Sequence, residues 1–299
     1  MQSIFRKRFT RPYRSLLSLR SLLSLLTMLL LASAGAQASS ITNVEFQSPA
    51  LGRAWNYNVY LPTGYETSNL RYPVLYLLHG NDGHRNDWPV KGRIQATADA
   101  LIASGDIPPA IIIMPDAGTT WFVDLKEKVE TAFFADLIPQ VQKRFRTLTG
   151  RDGRLVGGLS MGGYGAMRFA LKYPEKFQAA ALLSPAIYNP EPPATSSARF
   201  VKVFGSPDFD PAIWKAHNYP ALWDGFLKKN IKVPMYINSG DDDDFMIESE
   251  ATQFYALLRK NKQPAELRIV NGAHAWPVWE STIGDALKYI FQTVRRPEQ

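Results

Sequence analysis

Short apolar runs alternate with longer amphipathic segments along most of the chain, and this alternation restricts the fold more than any other feature. Residues 74–78 (VLYLL) are apolar at every position, as expected of a strand covered on both faces. Residues 129–145 place apolar side chains at about every third or fourth position, as expected of an amphipathic helix. Strands and helices in turn predict an α/β fold, with a mainly parallel sheet and helices on both faces. Strands are predicted at 55–60, 74–78, 111–114, 155–158, 179–183, 235–238 and 267–270, and helices at 94–104, 129–145, 162–172, 248–260 and 283–294.

One segment interrupts this pattern. Residues 186–220 contain six prolines and have mixed polarity. We predict that they form an insertion over one edge of the sheet, after its sixth strand. Two interpretations are open from the sequence: a lid over the substrate, or a surface segment packed against the domain.

The first 38 residues have the layout of a secretory signal. A basic segment is followed by the apolar run LLSLLTMLLL at residues 22–31, and then by small residues with cleavage patterns ending at Ala36 and at Ala38. The apolar run has only about half of the roughly 20 residues that a spanning helix needs, which disfavours an uncleaved anchor. We therefore predict a signal peptide over 1–38 and a single domain over 39–299. The mature protein is predicted to be periplasmic or secreted, with no stable membrane anchor.

The positive charge of the chain is concentrated in that leader. The formal net charge is +7, but residues 1–38 hold six bases and no acid, which leaves 28 bases against 27 acids. A nucleic-acid partner is therefore not expected. The chain has no cysteine, which excludes disulfides, zinc–thiolate sites, iron–sulfur clusters and a cysteine nucleophile. The six bases are Arg6, Lys7, Arg8, Arg11, Arg14 and Arg20.

The strongest local signal is GGLSMGGYG at residues 157–165, which contains the G-x-S-x-G pattern around Ser160. The pattern follows a predicted strand and precedes a predicted helix. A serine at the tip of so sharp a turn needs glycine two residues before and after it, because side chains there would collide. The turn exposes the Ser160 hydroxyl above a helix N-terminus, where developing negative charge is stabilised. We therefore predict that Ser160 is a catalytic nucleophile.

A serine hydroxyl needs a base to remove its proton, and the chain has four histidines. The chain order expected on this architecture is serine, acid, histidine, with the base after the last strand. His274 has that position. His217 lies in the proline-rich segment and is interpreted as structural or surface, and His79 is assigned to the oxyanion loop.

The acid is expected after the penultimate strand, where Asp241, Asp242, Asp243 and Asp244 follow Gly240. Four adjacent carboxylates raise one another's pKa, so most of them must face water. An acid three residues past the glycine selects Asp243, and Asp244 remains the alternative. A calcium loop is disfavoured, because the alternating ligand spacing and the closing glutamate are missing, and no metal site is predicted.

An oxyanion hole needs two backbone N–H groups directed at the oxygen of the tetrahedral intermediate. The residue after the nucleophile, Met161, is expected to supply one of them. The loop after strand 74–78 reads His79-Gly80-Asn81, and the backbone amide of Asn81 is expected to supply the other.

With these motifs, the chain resembles the esterase D / putative esterase family of α/β-hydrolases. Its relatives include S-formylglutathione hydrolases, feruloyl and acetyl-xylan esterases, siderophore esterases and mycolyltransferases. The resemblance covers roughly residues 57–289. It rests on LPTGY at 61–65, YPVLYLLHGNDGHRNDW at 72–88, MPDAGTTWFVD at 114–124, DLIPQVQKRFRT at 136–147, GGLSMGGYGA at 157–166 and GAHAWPVW at 272–279.

The resemblance implies an α/β-hydrolase fold with Ser160, Asp243 and His274 as the catalytic triad. It also suggests that Trp121 and Trp276 line the acyl pocket; the alternative is that both are core aromatics. The expected function is an exported serine esterase that forms an acyl-enzyme on a small-molecule or polysaccharide-linked ester, without a cofactor. Two alternatives stay open: an acyltransferase that uses the same triad, and an exported binding protein without catalysis.

Overall fold

An eight-stranded sheet forms the centre of the fold. The computed structural model describes residues 37–299, so the predicted leader, except its last two residues, and the cleavage pattern ending at Ala36 lie outside the described residues. The strand order is β1-β2-β4-β3-β5-β6-β7-β8. Strands β3 to β8 are parallel, whereas β1 and β2 form an antiparallel hairpin at one edge. The strands are β1 Ser40–Ser48, β2 Arg53–Leu61, β3 Val74–Leu78, β4 Ile111–Pro115, β5 Arg154–Leu159, β6 Ala179–Leu183, β7 Met235–Gly240 and β8 Ala265–Val270.

Helices cover both faces of the sheet, which confirms the predicted α/β class. On β3, Tyr76 and Leu78 belong to the larger of two buried clusters, whereas Leu75 and Leu77 belong to the other. Alternate residues of a strand point to opposite faces, so each cluster is the core of one face. The helices are α1 Asp87–Val90, α2 Ile94–Ser104, α3 Val129–Ala132, α4 Ile138–Arg144, α5 Met161–Lys172, α6 Pro211–His217, α7 Tyr219–Lys228, α8 Ile247–Lys260 and α9 Trp276–Ile290.

Two helices differ from the sequence expectation. The helix predicted at 129–145 is divided, because a π-helical turn, Phe133–Leu137, separates α3 from α4. The helix predicted at 283–294 begins seven residues earlier, at Trp276, and ends at Ile290. Pro277 is the second residue of α9, where a missing N–H costs nothing, so this proline marks the helix start. Within residues 37–299 no helix combines the length and apolar character that crossing a membrane requires.

The proline-rich segment follows β6, the sixth strand, as predicted. Its aromatic side chains pack against the rest of the domain. Trp214 on α6 is completely buried and stacks on Tyr164 of α5, with ring centroids 5.3 Å apart. Phe204 packs edge-on against Trp214 at 4.9 Å. The indole N–H of Trp214 donates to the carbonyl oxygen of Tyr188 (3.1 Å). This packing favours the second of the two interpretations, a surface segment packed against the domain.

His217 closes α6, and its contacts agree with the structural interpretation. Its Nδ1 lies 2.9 Å from the Ile213 carbonyl oxygen. Its own carbonyl oxygen accepts hydrogen bonds from the Tyr164 hydroxyl (2.9 Å) and from the Arg168 guanidinium. Both donors lie on α5, so His217 ties the inserted segment to the helix that follows Ser160.

A buried ion pair joins α3 to α5. Glu130 and Arg168 are 3% and 2% exposed, and Arg168 Nη2 lies 2.8 Å from Glu130 Oε2. The ammonium of Lys172 and the hydroxyl of Tyr173 donate to Glu130 Oε1 at 2.5 Å and 2.7 Å. Burial alone would raise the pKa of Glu130, but the charge of Arg168 and these hydrogen bonds lower it overall. The carboxylate is therefore ionised and compensates the buried guanidinium.

We predict that Glu130→Gln lowers the free energy of unfolding by about 3–5 kcal/mol, because Arg168 is left buried without a counter-charge. Urea unfolding measures this. The folded-state pKa of Glu130 is lowered, so its contribution is complete above the ordinary value of 4.5 and disappears as the pH falls through the folded-state pKa. The difference between variant and wild type should therefore shrink below that pH.

Glu175→Gln is the matched control. Glu175 pairs with Lys229 at 3.0 Å, but both side chains are more than 40% exposed. Its loss should cost at most about 1 kcal/mol. If the two substitutions lower the free energy of unfolding equally, the larger contribution predicted for the buried Glu130–Arg168 pair is wrong.

Candidate active site

Ser160 lies at the tip of a tight turn between β5 and α5. Its backbone has φ +52° and ψ −117°, a conformation that residues other than glycine rarely adopt. A Cβ added to Gly158 would lie 2.5 Å from the backbone of Gly162, and one added to Gly162 would lie 2.5 Å from the carbonyl oxygen of His79. Both distances are far shorter than a van der Waals contact, which agrees with the requirement for glycine inferred from the sequence.

His274 lies in the loop between β8 and α9 and faces the serine. The hydroxyl of Ser160 lies 2.9 Å from Nε2 of His274, although the two residues are 114 positions apart in the chain. On the other side of the ring, Nδ1 lies 2.7 Å from Oδ2 of Asp243. A carboxylate only accepts, so Nδ1 carries the proton and Nε2 is free to accept from the serine hydroxyl. The structure therefore brings together the three side chains that the sequence singles out.

The four consecutive aspartates have different surroundings. The side chain of Asp243 is completely buried, and Oδ1 accepts from the backbone N–H of Phe245 (3.0 Å). Asp241, Asp242 and Asp244 are exposed, as expected for carboxylates that cannot share one site. The position next to His274 is therefore held by Asp243 and not by Asp244.

Asp241 has a separate contact that the sequence does not indicate. Its Oδ1 accepts from the backbone N–H of Gly272 (2.9 Å). Gly240 lies so close to the same loop that an added Cβ would be 2.0 Å from the Gly272 carbonyl oxygen. The loops that carry Asp243 and His274 are thus held directly against each other.

The loop after β3 lies against the serine turn. A Cβ on Gly80 would lie 2.7 Å from Leu159 Cδ1 and 3.7 Å from Ser160 Cβ, and Asn81 lines the cavity above Ser160. Met161 is the first residue of α5, where a backbone N–H has no acceptor inside the helix. Both positions suit amide donors, and the assignment of Asn81 and Met161 to an oxyanion hole stays a prediction.

His79 fixes this loop. Its ring is 1% exposed, Nε2 accepts from the Ala117 backbone N–H (2.9 Å), and Nδ1 lies 2.7 Å from the Gly80 carbonyl oxygen. Since Nε2 accepts, Nδ1 carries the proton and donates. Burial lowers the pKa of His79, so the imidazole is neutral and links the loop after β3 to the segment after β4.

A cavity of about 410 Å³ opens above Ser160. Trp276 lines it, as the family resemblance suggests. Trp121 does not line it: this side chain is 1% exposed and packs edge-on against Tyr164 and Trp214 under the inserted segment. The alternative left open for Trp121, a core aromatic, is what the structure shows.

Other residues of the cavity wall are not identified by the sequence. Phe245 and Trp279 are close in the chain to Asp243 and His274, so proximity to these residues is a signal that could have found them. Lys91 and Ser197 come from segments that only the tertiary fold brings to the site. All four line the cavity. Within residues 37–299 no group of three or more His, Asp or Glu side chains is placed to hold a metal ion.

Comparison with known proteins agrees with this geometry. The family model described as "Putative esterase" matches residues 48–290. An endo-1,4-beta-xylanase/feruloyl esterase of Xylanibacter ruminicola is 38% identical over 162 residues, which are 51% of this chain and 22% of that longer protein. The chain thus spans about a fifth of the length of that relative.

Two further relatives match over most of their length. An acetyl esterase of Caldicellulosiruptor saccharolyticus is 26% identical over 244 residues, which are 75% of this chain and 85% of that one. A solved structure of a ferulic acid esterase superimposes with a TM-score of 0.72 at 26% identity, covering 86% of this chain and 99% of that one. The chain therefore belongs to the putative esterase family and has an α/β-hydrolase fold.

Proposed function

We propose that the protein is a carboxylic-ester hydrolase that works through a covalent acyl-serine intermediate. The observation that carries the proposal is the continuous chain of hydrogen bonds from Ser160 through His274 to Asp243, at 2.9 Å and 2.7 Å. A serine hydroxyl becomes a nucleophile when a base within hydrogen-bond reach removes its proton, and the base is effective when a third group orients it. Family membership supports the same chemistry.

In the first half-reaction, Ser160 Oγ attacks the ester carbonyl carbon and its proton passes to Nε2 of His274. The backbone N–H groups of Met161 and Asn81 donate to the oxyanion that forms. When the tetrahedral intermediate collapses, the bond to the alcohol oxygen breaks, and the departing alcohol takes the proton from Nε2. The acyl group is left on Ser160.

In the second half-reaction, water occupies the place of the alcohol. It attacks the acyl carbonyl while Nε2 accepts one of its protons, and the same proton returns to Oγ as the carboxylic acid leaves. No proton passes to Asp243 in either half-reaction. Its hydrogen bond to Nδ1 keeps the reactive tautomer and stabilises the imidazolium formed in each half-reaction.

The proposed substrate is an environmental or envelope ester with an acyl group small enough for the cavity of about 410 Å³. Feruloyl and acetyl esters are the candidates that the names of the relatives suggest. The basic and apolar leader at residues 1–38 supports action outside the cytoplasm, in a periplasm or in the medium.

We predict that Ser160→Ala lowers kcat for p-nitrophenyl acetate by about 10³-fold or more, because the nucleophile is lost. Fluorophosphonate labelling of the protein should disappear, while the circular dichroism spectrum stays that of the wild type. Ser281→Ala, at an exposed serine of α9, is the matched control and should keep full activity. Near-normal turnover by Ser160→Ala would overturn the assignment.

The acid is tested by the pair Asp243→Asn and Asp244→Asn. The first substitution places an amide beside Nδ1, which favours the wrong tautomer, and should lower kcat by about 10³–10⁴-fold. The second changes an exposed side chain and should leave kcat within about two-fold of the wild type. The reverse pattern would assign the acid to Asp244. Analysis of products with an added sugar alcohol in the same assay separates hydrolysis from acyl transfer.

A further inference from the structure

The imidazole of His274 is held by more than its two hydrogen bonds. Nδ1 and Nε2 are each fixed to a neighbour, but a ring fixed at two atoms can still tilt about the line that joins them. Two aromatic rings stand perpendicular to the imidazole and restrict this tilt. Phe245 lies 4.9 Å from it at 89°, and Trp279 lies 5.0 Å from it at 86°, measured between ring centroids and ring planes.

Trp279 is fixed in turn by a buried hydrogen bond. Its indole N–H donates to the hydroxyl oxygen of Ser184 at 3.0 Å. Trp279 is 5% exposed and Ser184 is completely buried, so water does not compete for this bond. The hydroxyl of Ser184 therefore fixes the rotation of the indole together with the packing of Trp279 against Trp276, whose ring centroid lies 5.4 Å away.

Ser184 belongs to a short segment that also holds the nucleophile. The backbone N–H of Ser160 donates to the Leu183 carbonyl oxygen (2.9 Å), and the N–H of Ala186 donates to the Ser160 carbonyl oxygen (3.1 Å). Ser184 lies between these two contacts in the chain. Its φ of +37° is positive, in the left-handed region that residues other than glycine rarely occupy. The same segment thus contacts the nucleophile through its backbone and, through Trp279, the base.

The segment is also bonded to the strand that leads to the acid. The N–H of Ser184 donates to the Asn238 carbonyl oxygen on β7 (2.8 Å). The side-chain amide of Asn238 donates to the Thr282 hydroxyl (2.7 Å), one turn beyond Trp279 on α9. These contacts hold β6, β7 and α9 in one arrangement below the site.

We propose that Ser184 and Trp279 are positioning residues that keep His274 Nε2 within hydrogen-bond reach of Ser160 Oγ. This inference rests on the proposed function, because it concerns the orientation of the proposed base. Neither residue transfers a proton or binds the oxyanion. Their hydrogen bond sets the angle of the indole, and the indole sets the tilt of the imidazole in both half-reactions.

The experiment compares Ser184→Ala, Trp279→Phe and the double variant with the wild type, using p-nitrophenyl acetate. Each single variant removes one partner of the hydrogen bond, and Trp279→Phe keeps an aromatic ring beside His274. We expect kcat to fall by about 10- to 100-fold in each, since a small misorientation of reacting groups has effects of this size. KM should stay within about two-fold in Ser184→Ala, because Ser184 does not line the cavity, and in both variants the rate of fluorophosphonate labelling should fall with kcat.

The double variant tests whether the two residues act through one contact. If they do, its kcat should equal that of the more affected single variant, whereas independent effects would multiply. Trp223→Phe is the matched control, because it removes the indole N–H of another buried tryptophan, which packs against Phe226 and Phe254 on a different part of the molecule. It should leave kcat unchanged.

The outcomes are distinguishable. The positioning role would be overturned if the single variants fold and keep kcat within two-fold of the wild type. It would also be overturned if the losses multiply in the double variant, or if Trp223→Phe loses as much kcat as the two single variants. If Trp279→Phe does not fold, Ser184→Ala decides by the same kcat and labelling criteria. Absence of labelling and of ester hydrolysis in the wild type would instead overturn the proposed function itself.

Discussion

The strained backbone of Ser160 is the constraint on which the rest of the site depends. A positive φ at a residue with a Cβ costs free energy, so the surrounding structure must hold it. Three features do so here. Glycines on both sides allow β5 and α5 to meet, and the loop after β3 lies against the turn. The backbone N–H of Ser160 also donates to the Leu183 carbonyl oxygen, and its carbonyl oxygen accepts from the Ala186 N–H. The packing around the turn thus offsets the free-energy cost of the backbone conformation that exposes the Ser160 hydroxyl.

The arrangement of the sheet explains why residues distant in the chain meet. Strands β3, β5, β6, β7 and β8 are parallel neighbours, so the loops at their carboxyl ends lie along one edge. Those loops carry, in order, Gly80 and Asn81, then Ser160, Ser184, Asp243 and His274. Direct contacts between adjacent loops, such as the bond from Gly272 to Asp241, then fix the distances to within hydrogen-bond reach.

The sequence predicts local features with strong signals and misses those that depend on tertiary contacts. The parallel strands, the turn at Ser160 and the choice of His274 follow from periodicity, glycine spacing and chain order. Strand β1 is not among the predicted strands. Its residues do not follow a regular buried–exposed alternation, and the strand is defined only by its pairing with β2. The resemblance leaves pocket and core open for Trp121, because its place in the core depends on Trp214, 93 positions away in the chain. The Ser184–Trp279 bond joins residues 95 positions apart and leaves no local pattern.

The aromatic attachment of residues 186–220 has a consequence for how esters reach the site. The segment that contributes Ser197 to the cavity wall is packed through Trp214 against α5, the helix that follows Ser160. The shape of this wall is therefore set by side-chain packing, and the esters that fit depend on the residues that line the opening. A change of preferred ester then requires different side chains around the opening.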